Sequence, residues 1–147
     1  MKIFVICSKK FYQKIEEIKK SLEDKGHEVY LPNCYDKPNT EEEMWKLGSK
    51  VHQEFKAKMY KQSEDVINQM DAVLVLNYDK KTEEKILKNY IGGATFLEMY
   101  DAFRLGKKIY MYNEIPKGIL YDEIEGFAPI IIHGNLNLIG EANGYRF

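Results

Sequence analysis

Residues 70–76 read Met-Asp-Ala-Val-Leu-Val-Leu, and this stretch decides the fold class. Five consecutive apolar residues, Ala72 to Leu76, leave no polar face, so the strand that they predict is buried on both faces. Strands covered on both faces are typical of parallel sheets, in which helices pack on either side. The stretch therefore predicts the central strand of an α/β sheet.

Four further, mostly apolar runs supply partners for this strand. They lie at residues 3–7, 27–31, 108–112 and 129–132. Alternation of strands with helices predicts a parallel sheet covered by helices on both faces. We expect a flavodoxin- or Rossmann-like three-layer α/β/α domain over residues 1–147, with a five-stranded sheet in the order 2-1-3-4-5.

Helical patterns separate these strands. The first helix carries apolar residues on one face, and Gly26 ends it; the apolar residues are Phe11, Ile15, Ile18 and Leu22. A longer helical region covers residues 41–70, and Gly48 favours a kink or a division into two helices. Two further helices and two irregular segments complete the chain. The helices are predicted at 95–105 and 119–127, a polar loop at 77–93, and an irregular or short helical tail at 134–147.

The composition excludes several classes of protein. A chain of 147 residues is long enough for one domain with its own core. The formal net charge is −1 and basic runs are short, so we expect no binding to a nucleic-acid polymer. No apolar stretch approaches the ~20 residues of a membrane span, and no signal-peptide pattern is present. We therefore expect a cytoplasmic protein without a membrane partner.

Cysteine and histidine placement argues against a metal. Cys7 and Cys34 lack the spacing of metal ligands, and Cys7 reads as a buried free thiol. None of the three histidines has a Cys, His or carboxylate partner at ligand spacing. The sequence contains neither a dinucleotide fingerprint nor a Walker motif. We expect no cofactor and no metal.

A ligand site is expected at the carboxyl ends of strands 1 and 3, where the strand order reverses. Several polar or small residues of the loops near that edge are candidates for substrate binding. They are Ser8, Asn77, Tyr78, Gly92, Gly93 and Thr95. Tyr12 and Tyr90, like Tyr78, are placed to stack on a base. Taken alone, Ser8 equally well starts the first helix, and the glycines equally well serve only as turn residues.

Glu98 is the main candidate for chemistry. We place it in the first turn of the helix that Gly92-Gly93 opens, where the helix N-terminus stabilises negative charge by ~0.3–1 kcal/mol. An ionised carboxylate there suits a nucleophile, or a stabiliser of a positive transition state. A second interpretation stays open, because Thr95-x-x-Glu98 is also a capping box in which Glu98 bonds back to the Thr95 backbone.

Three stretches, taken together, resemble one family. They are Met70-Asp71-Ala72-Val73-Leu74-Val75-Leu76, then Gly92-Gly93-Ala94-Thr95-Phe96-Leu97-Glu98-Met99, then Ala102-Phe103-Arg104-Leu105-Gly106-Lys107-Lys108. Their order and spacing, over about residues 1–115, resemble the nucleoside 2-deoxyribosyltransferases and the related deoxynucleoside 5′-monophosphate N-glycosidases. The pattern is an apolar strand opened by Asp, a Gly-rich turn, and a Glu inside a helix that ends Leu-Gly-Lys.

The resemblance implies a reaction at the N-glycosidic bond of a small nucleoside or nucleotide. Glu98 would attack the anomeric carbon, the base would leave, and water or another base would complete the turnover. Asp71 would act beside it, contacting the nucleobase or helping its protonation. Ser8 and the glycine turn would line the sugar or phosphate pocket. Family members often build the site across a dimer, so a homodimer or higher homo-oligomer is implied.

The sequence also departs from the family pattern. The first strand ends Cys7-Ser8-Lys9 without the usual glycine. In the transferases an Asp commonly lies six residues before the nucleophile, and here that position is Gly92. A transferase, a hydrolase and a non-catalytic nucleotide-binding or sensing domain of the same fold therefore all stay open.

Overall fold

The computed structural model describes residues 1–140 and is built around a parallel sheet. The strands in chain order are β1 (Lys2–Ile6), β2 (Glu28–Tyr30), β3 (Ala72–Val75), β4 (Lys80–Lys81), β5 (Ile86–Leu87), β6 (Lys108–Met111) and β7 (Ile130–Ile131). Five of them form one sheet in the order β2-β1-β3-β6-β7, with every neighbouring pair parallel. This confirms the predicted order 2-1-3-4-5.

Helices connect the strands along the described part of the chain. They are α1 (Ile15–Asp24), α2 (Thr40–Lys46), α3 (Ser49–Asn68), α4 (Gly93–Arg104) and α5 (Tyr121–Gly126), with 3₁₀ turns at Lys9–Lys14 and Leu136–Leu138. The predicted helical region over 41–70 is divided into α2 and α3. Gly48 lies at the division with a φ of 123°, a conformation that side chains disfavour and glycine adopts freely.

Two apolar cores lie on opposite faces of the sheet. Alternate residues of β1 point to opposite sides, as the two-residue period of a strand requires. Ile3 and Val5 pack with α1 on one side, and Phe4 and Ile6 pack with α3 and α4 on the other. These four side chains are fully buried. The three-layer α/β/α architecture expected from the apolar runs is therefore confirmed.

The segment predicted as a plain polar loop is partly ordered. Within residues 77–93, β4 and β5 pair antiparallel, and Lys80 lies opposite Leu87. The alternation that predicts a hairpin is hard to recognise here, because each strand has only two residues. The predicted tail at 134–147 includes the short 3₁₀ turn, and residues 141–147 lie outside the described part. No helix within residues 1–140 is both long and apolar enough to span a membrane.

Candidate active site

A cavity of about 580 Å³ opens at the carboxyl edge of the sheet, on the side of β1 and β2. Its floor is formed by the ends of these strands, at Cys7-Ser8 and Asn33-Cys34, and by the start of α4. One face of α3 forms the opposite wall. The volume falls within the range of about 300–1,000 Å³ that is usual for small-ligand sites. The site was expected between the carboxyl ends of strands 1 and 3. The cavity lies at the same edge of the sheet but on the side of β1 and β2, and Asn77 and Tyr78, which follow β3, do not line it.

Glu98 lies in the wall of this cavity, on α4. The helix begins at Gly93 with Gly92 as its N-cap, two residues earlier than predicted, so Glu98 lies in the second turn rather than the first. The side chain is half-buried, with its exposed part facing the cavity. Its Oε2 accepts a hydrogen bond of 2.8 Å from Ser63 Oγ. The carboxyl is thus aimed at the space where a ligand would lie.

The capping-box interpretation is wrong. Thr95 is buried, and the residue that caps α4 is Gly92, which makes no side-chain hydrogen bond. The Glu98 carboxylate bonds to Ser63 on α3 instead of turning back to the Thr95 backbone. Glu98 therefore bridges two helices across the cavity wall, which a surface cap would not do.

Burial changes the charge expected at Glu98. The pKa of its carboxyl is raised to about 7, mainly because burial penalises the charged form. The hydrogen bond from Ser63 and the charge of Lys56 lower the pKa, whereas Asp101 raises it. The expectation of a fully ionised carboxylate at neutral pH is therefore wrong, because burial raises the pKa of Glu98 more than Ser63 and Lys56 lower it.

Two other lining groups, Cys7 and Tyr12, are neutral at physiological pH. The pKa of the Cys7 thiol is raised to about 12 by burial and by the nearby Glu98. The pKa of Tyr12 is also raised, by burial first and then by Cys7, Glu98 and Cys34. Cys7 therefore stays protonated and is a poor nucleophile. The shifts also report that Cys7, Tyr12 and Glu98 are electrostatic neighbours.

Four of the predicted binding residues line the cavity: Ser8, Gly92, Gly93 and Thr95. Ser8 also caps the first 3₁₀ turn, since its Oγ accepts from the backbone N–H of Lys10 at 3.3 Å. The cap predicted for Ser8 is therefore present, and its role in substrate binding stays a prediction. A Cβ added at Gly93 would meet no atom within 4 Å, so this position leaves the backbone open to a ligand.

Three predicted residues are not brought to the cavity. Asp71 precedes β3 and lies at the opposite, amino edge of the sheet, where its Oδ2 accepts from Lys2 N at 2.7 Å. Asn77 is fully buried and bonds to the backbone of Asn113 and Glu114. Tyr78 is half-buried and packs against the core, with its ring centroid 5.5 Å from that of Phe11 and 5.0 Å from that of Tyr112. The assignment of these residues to the site is corrected accordingly.

The tyrosines predicted to stack on a base do not all lie at the cavity. Tyr12 lines the cavity, and its hydroxyl donates to the Asn33 carbonyl at 3.3 Å. Tyr90 lies outside, with its ring under Lys80 Nζ at 4.4 Å from the centroid. Only Tyr12 of the three tyrosines named for stacking, which include Tyr78, can face a ligand in this cavity.

The cavity wall contributed by α3 was not among the sequence predictions. Phe55, Met59, Ser63 and Ile67 recur every fourth residue and so share one helix face. Ser63 is 4% exposed and is the polar member of this otherwise apolar stripe. A serine within an otherwise apolar helix face was the feature of the sequence that could have indicated this wall. Its partner, Asn33 in the loop after β2, carried no signal of its own.

Charged side chains at the rim are mostly paired. Glu41 on α2 lies 2.7 Å from His52 Nε2 and 3.6 Å from Lys56 Nζ. Burial raises the pKa of Glu41, but the hydrogen bond with His52 and the charge of Lys56 lower it more. Lys9 forms an ion pair with Glu42. Within residues 1–140, no cluster of three or more His, Cys, Asp or Glu side chains is arranged to hold a metal ion.

Solved structures share this fold. The CMP N-glycosidase of Clostridium botulinum is 18% identical, with a TM-score of 0.51 over 92% of this chain and 91% of that one. A 2-deoxyribosyltransferase from Bacillus psychrosaccharolyticus is 17% identical, with a TM-score of 0.52 over 84% of this chain and 80% of that one. No family model and no curated protein matches the sequence. The resemblance inferred from the three sequence stretches is thus confirmed for the fold.

Proposed function

We propose that the protein cleaves the N-glycosidic bond of a nucleoside or nucleotide, with Glu98 as the nucleophile and with hydrolysis or base exchange as the outcome. The observation that carries the proposal is the Glu98 carboxyl, which faces a cavity large enough for a nucleoside at the carboxyl edge of the sheet. The fold shared with an N-glycosidase and a 2-deoxyribosyltransferase supports it. On this basis we also place the chain in the nucleoside 2-deoxyribosyltransferase-like family.

The proposed chemistry has two steps. A carboxylate oxygen of Glu98 bonds to C1′ as the N-glycosidic bond breaks, and the bonding electron pair leaves with the base, which takes up a proton from water. Water then attacks C1′ of the glycosyl ester, which restores the carboxylate and releases the free sugar and a proton. In base exchange, a nitrogen of a second base attacks instead and loses its proton.

The cavity suits a positively charged transition state. Glu98, Glu41 and Asp101 contribute carboxyl groups to its lining, and the cations Lys9 and Lys56 are each paired with a glutamate. An oxocarbenium-like sugar placed against Glu98 would be stabilised by the adjacent negative charge. As positive charge develops at C1′, it lowers the cost of ionising the buried carboxyl. The pKa of Glu98 is therefore lower in the transition state than in the free protein, and the carboxylate form is favoured when the reaction needs it.

One observation favours the non-catalytic alternative. The resemblance assigns Asp71 to the nucleobase, but that carboxylate lies at the opposite edge of the sheet. The position six residues before Glu98, an Asp in many transferases, is Gly92. A nucleotide-binding or sensing domain would keep the cavity and would not need either group. Absence of turnover together with measurable nucleotide binding would select this alternative.

A homo-oligomer remains part of the proposal. Leu97, Tyr100 and Phe103 are exposed at 44%, 47% and 49%, and they recur every third residue along α4. An exposed apolar stripe of this kind is typical of an interface. Sedimentation equilibrium should give at least two subunits, and Phe103→Glu should reduce the mass. A single-subunit mass for the unmutated protein at micromolar concentration would remove this part of the proposal.

The test is a chromatographic assay for free base. The protein is incubated with deoxynucleosides and their 5′-monophosphates, with and without an acceptor base, beside Glu98→Gln. We expect base release that falls by at least about 10³-fold in Glu98→Gln. Glu16→Gln, an exposed carboxylate on α1, is the matched control and should keep full activity.

The acceptor base separates the two possible outcomes. Release that needs the acceptor identifies a transferase, and release without it identifies a hydrolase. Equal release by Glu98→Gln would refute the nucleophile, and no release from any substrate by a folded protein would refute the catalytic proposal.

A further inference from the structure

We propose that Asn33 and Ser63 are positioning residues that orient Glu98 and leave its Oε1 for the substrate. The inference rests on the proposed function for its kinetic consequences, but the geometry stands on its own. Asn33 Nδ2 lies 2.7 Å from Ser63 Oγ, and Ser63 Oγ lies 2.8 Å from Glu98 Oε2. These residues come from the loop after β2, from α3 and from α4, so the chain of bonds joins three elements.

The orientation of Asn33 is fixed by its other partners. Its Nδ2 also lies 3.3 Å from the carbonyl oxygen of Met59, which can only accept a hydrogen bond. Its Oδ1 lies 3.0 Å from Nε2 of Gln62. A flipped amide would place two oxygens against each other at Met59. The amide nitrogen must therefore face Ser63 and donate to it.

The direction of the Ser63 hydrogen bond follows. A hydroxyl has a single proton to donate, and because Asn33 donates to Ser63 Oγ, that proton is free to go to an acceptor. A serine inside a helix commonly donates to the carbonyl four residues earlier, which here is Met59. That carbonyl already accepts from Asn33. The Ser63 proton is directed to Glu98, and donation runs from Gln62 through Asn33 and Ser63 to the carboxylate.

This arrangement makes the two oxygens of Glu98 inequivalent. Oε2 accepts from Ser63, so it carries no proton of its own while this bond is made. Among the described residues, no hydrogen bond engages Oε1. In the neutral acid the proton therefore resides on Oε1, and in the ionised form Oε1 is the oxygen offered to the ligand. The hydrogen bonds from Asn33 to Ser63 and from Ser63 to Glu98 thus position one defined oxygen, Oε1, for attack on the anomeric carbon.

Among the groups that shift the pKa of Glu98, Ser63 is uncharged and lowers the pKa through its hydrogen bond. Asp101 from the same helix and Lys56 from α3 act on it in opposite directions, and Cys7 and Tyr12, its neighbours near the end of β1, are uncharged. Glu41 on α2 and Lys9 at the rim are held in ion pairs. Loss of the Ser63 hydroxyl should therefore raise the pKa of Glu98, because burial is then less opposed.

The decisive test does not depend on turnover. Protein labelled with ¹³C at the glutamate carboxyl carbons is titrated by NMR, and the Glu98 signal is assigned by its loss in Glu98→Gln. Ser63→Ala should titrate at higher pH than the unmutated protein, and Ser63→Thr, which keeps the hydroxyl, should restore the original value. Ser21→Ala, a serine on α1 away from the cavity, is the matched control and should change nothing. An unchanged titration in a folded Ser63→Ala variant would overturn the inference.

Kinetics provide the second measurement. Ser63→Ala should lower kcat/KM about tenfold at pH 7 and much less at pH 9, where Glu98 is ionised in either case. A merely structural role would lower activity equally at both pH values. If base is released and the pH profile is the same in Ser63→Ala and in the unmutated protein, the positioning role is refuted. The proposed function would still stand. No base release in any variant would refute the function, and the NMR titration would still decide the hydrogen-bond chain.

Discussion

Glu98 combines a cost to folding with a proposed benefit to chemistry. A carboxyl with a pKa of about 7 in the folded protein binds a proton more tightly than it does in the unfolded chain, where the ordinary value is 4.5. Between these values the folded state holds more protons, so the free energy of unfolding falls as pH rises from about 4.5 to 7. The full contribution is up to about 3 kcal/mol, since one pH unit corresponds to about 1.4 kcal/mol.

Glu98→Gln should therefore stabilise the protein, and more so at high pH. Glutamine keeps the shape and still accepts a hydrogen bond from Ser63, but it carries no charge to bury. Urea unfolding at pH 5 and pH 8 should show the gain over the unmutated protein increasing by up to about 3 kcal/mol. A gain that is the same at both pH values would mean that the carboxyl is not desolvated.

The pH dependence of catalysis should report the same group. A nucleophile must be ionised, so kcat/KM should fall as pH decreases through about 7, approaching a tenfold loss for each further pH unit. The profile of kcat/KM between pH 5 and pH 9 measures this directly. An acid limb near pH 4.5 would show an ordinary, solvated carboxylate. Activity that rises as pH falls would assign Glu98 as an acid rather than a nucleophile.

At the scale of the elements, Asn77 ties two parts of the sheet together. Its Nδ2 donates to the carbonyls of Asn113 and Glu114, both at 3.0 Å, and its Oδ1 accepts from Asn113 N at 2.9 Å. The bonds join the end of β3 to the loop that follows β6. Because the Asn77 side chain is fully buried, its amide would have no partner without these bonds.

Asn77→Ala should therefore affect stability rather than substrate binding. We expect the free energy of unfolding to fall by roughly 1–3 kcal/mol, since the backbone of Asn113 and Glu114 loses its hydrogen bonds to the buried amide. The KM of the remaining folded protein should stay within about twofold, because the residue lies outside the cavity. Denaturant unfolding and steady-state kinetics measure the two effects, with Asn68→Ala on the exposed end of α3 as control. A large rise in KM with unchanged stability would restore the substrate-binding role first predicted for Asn77.

At the scale of the whole molecule, the sheet follows from the sequence because its signal is local. The continuous apolar runs at β1 and β3 require burial on both faces, and the alternating helices leave few possible topologies. The hairpin of β4 and β5 gave no such signal because two-residue strands have no usable period. The predicted start of α4 lies two residues after the observed one. The prediction therefore placed Glu98 in the first turn and suggested a cap at Thr95 that the structure does not have.

The cavity was only half predictable for a related reason. The residues after β1 and at the start of α4 follow strands, so topology brings them to one edge. The α3 wall depends on how a long helix packs over that edge, which no local pattern states. Asp71 was assigned to the site because it is next to β3 in sequence. It precedes the strand, however, so it lies at the amino edge of the sheet, opposite the cavity. Pairwise contacts such as that of Asn33 with Ser63 arise only from the assembled fold.

The proposed reaction requires a covalent bond between Glu98 and the sugar. The most direct measurement is mass spectrometry of the protein after brief reaction with a 2′-fluoro-substituted deoxynucleoside, stopped in acid and digested. Fluorine disfavours the positively charged transition state and so slows breakdown of the intermediate. We predict that the peptide containing Glu98 gains the mass of one fluorinated sugar residue and that Glu98→Gln gains none. Base release with no added mass on this peptide, or with the sugar attached to a different residue, would contradict the role of Glu98 as the nucleophile.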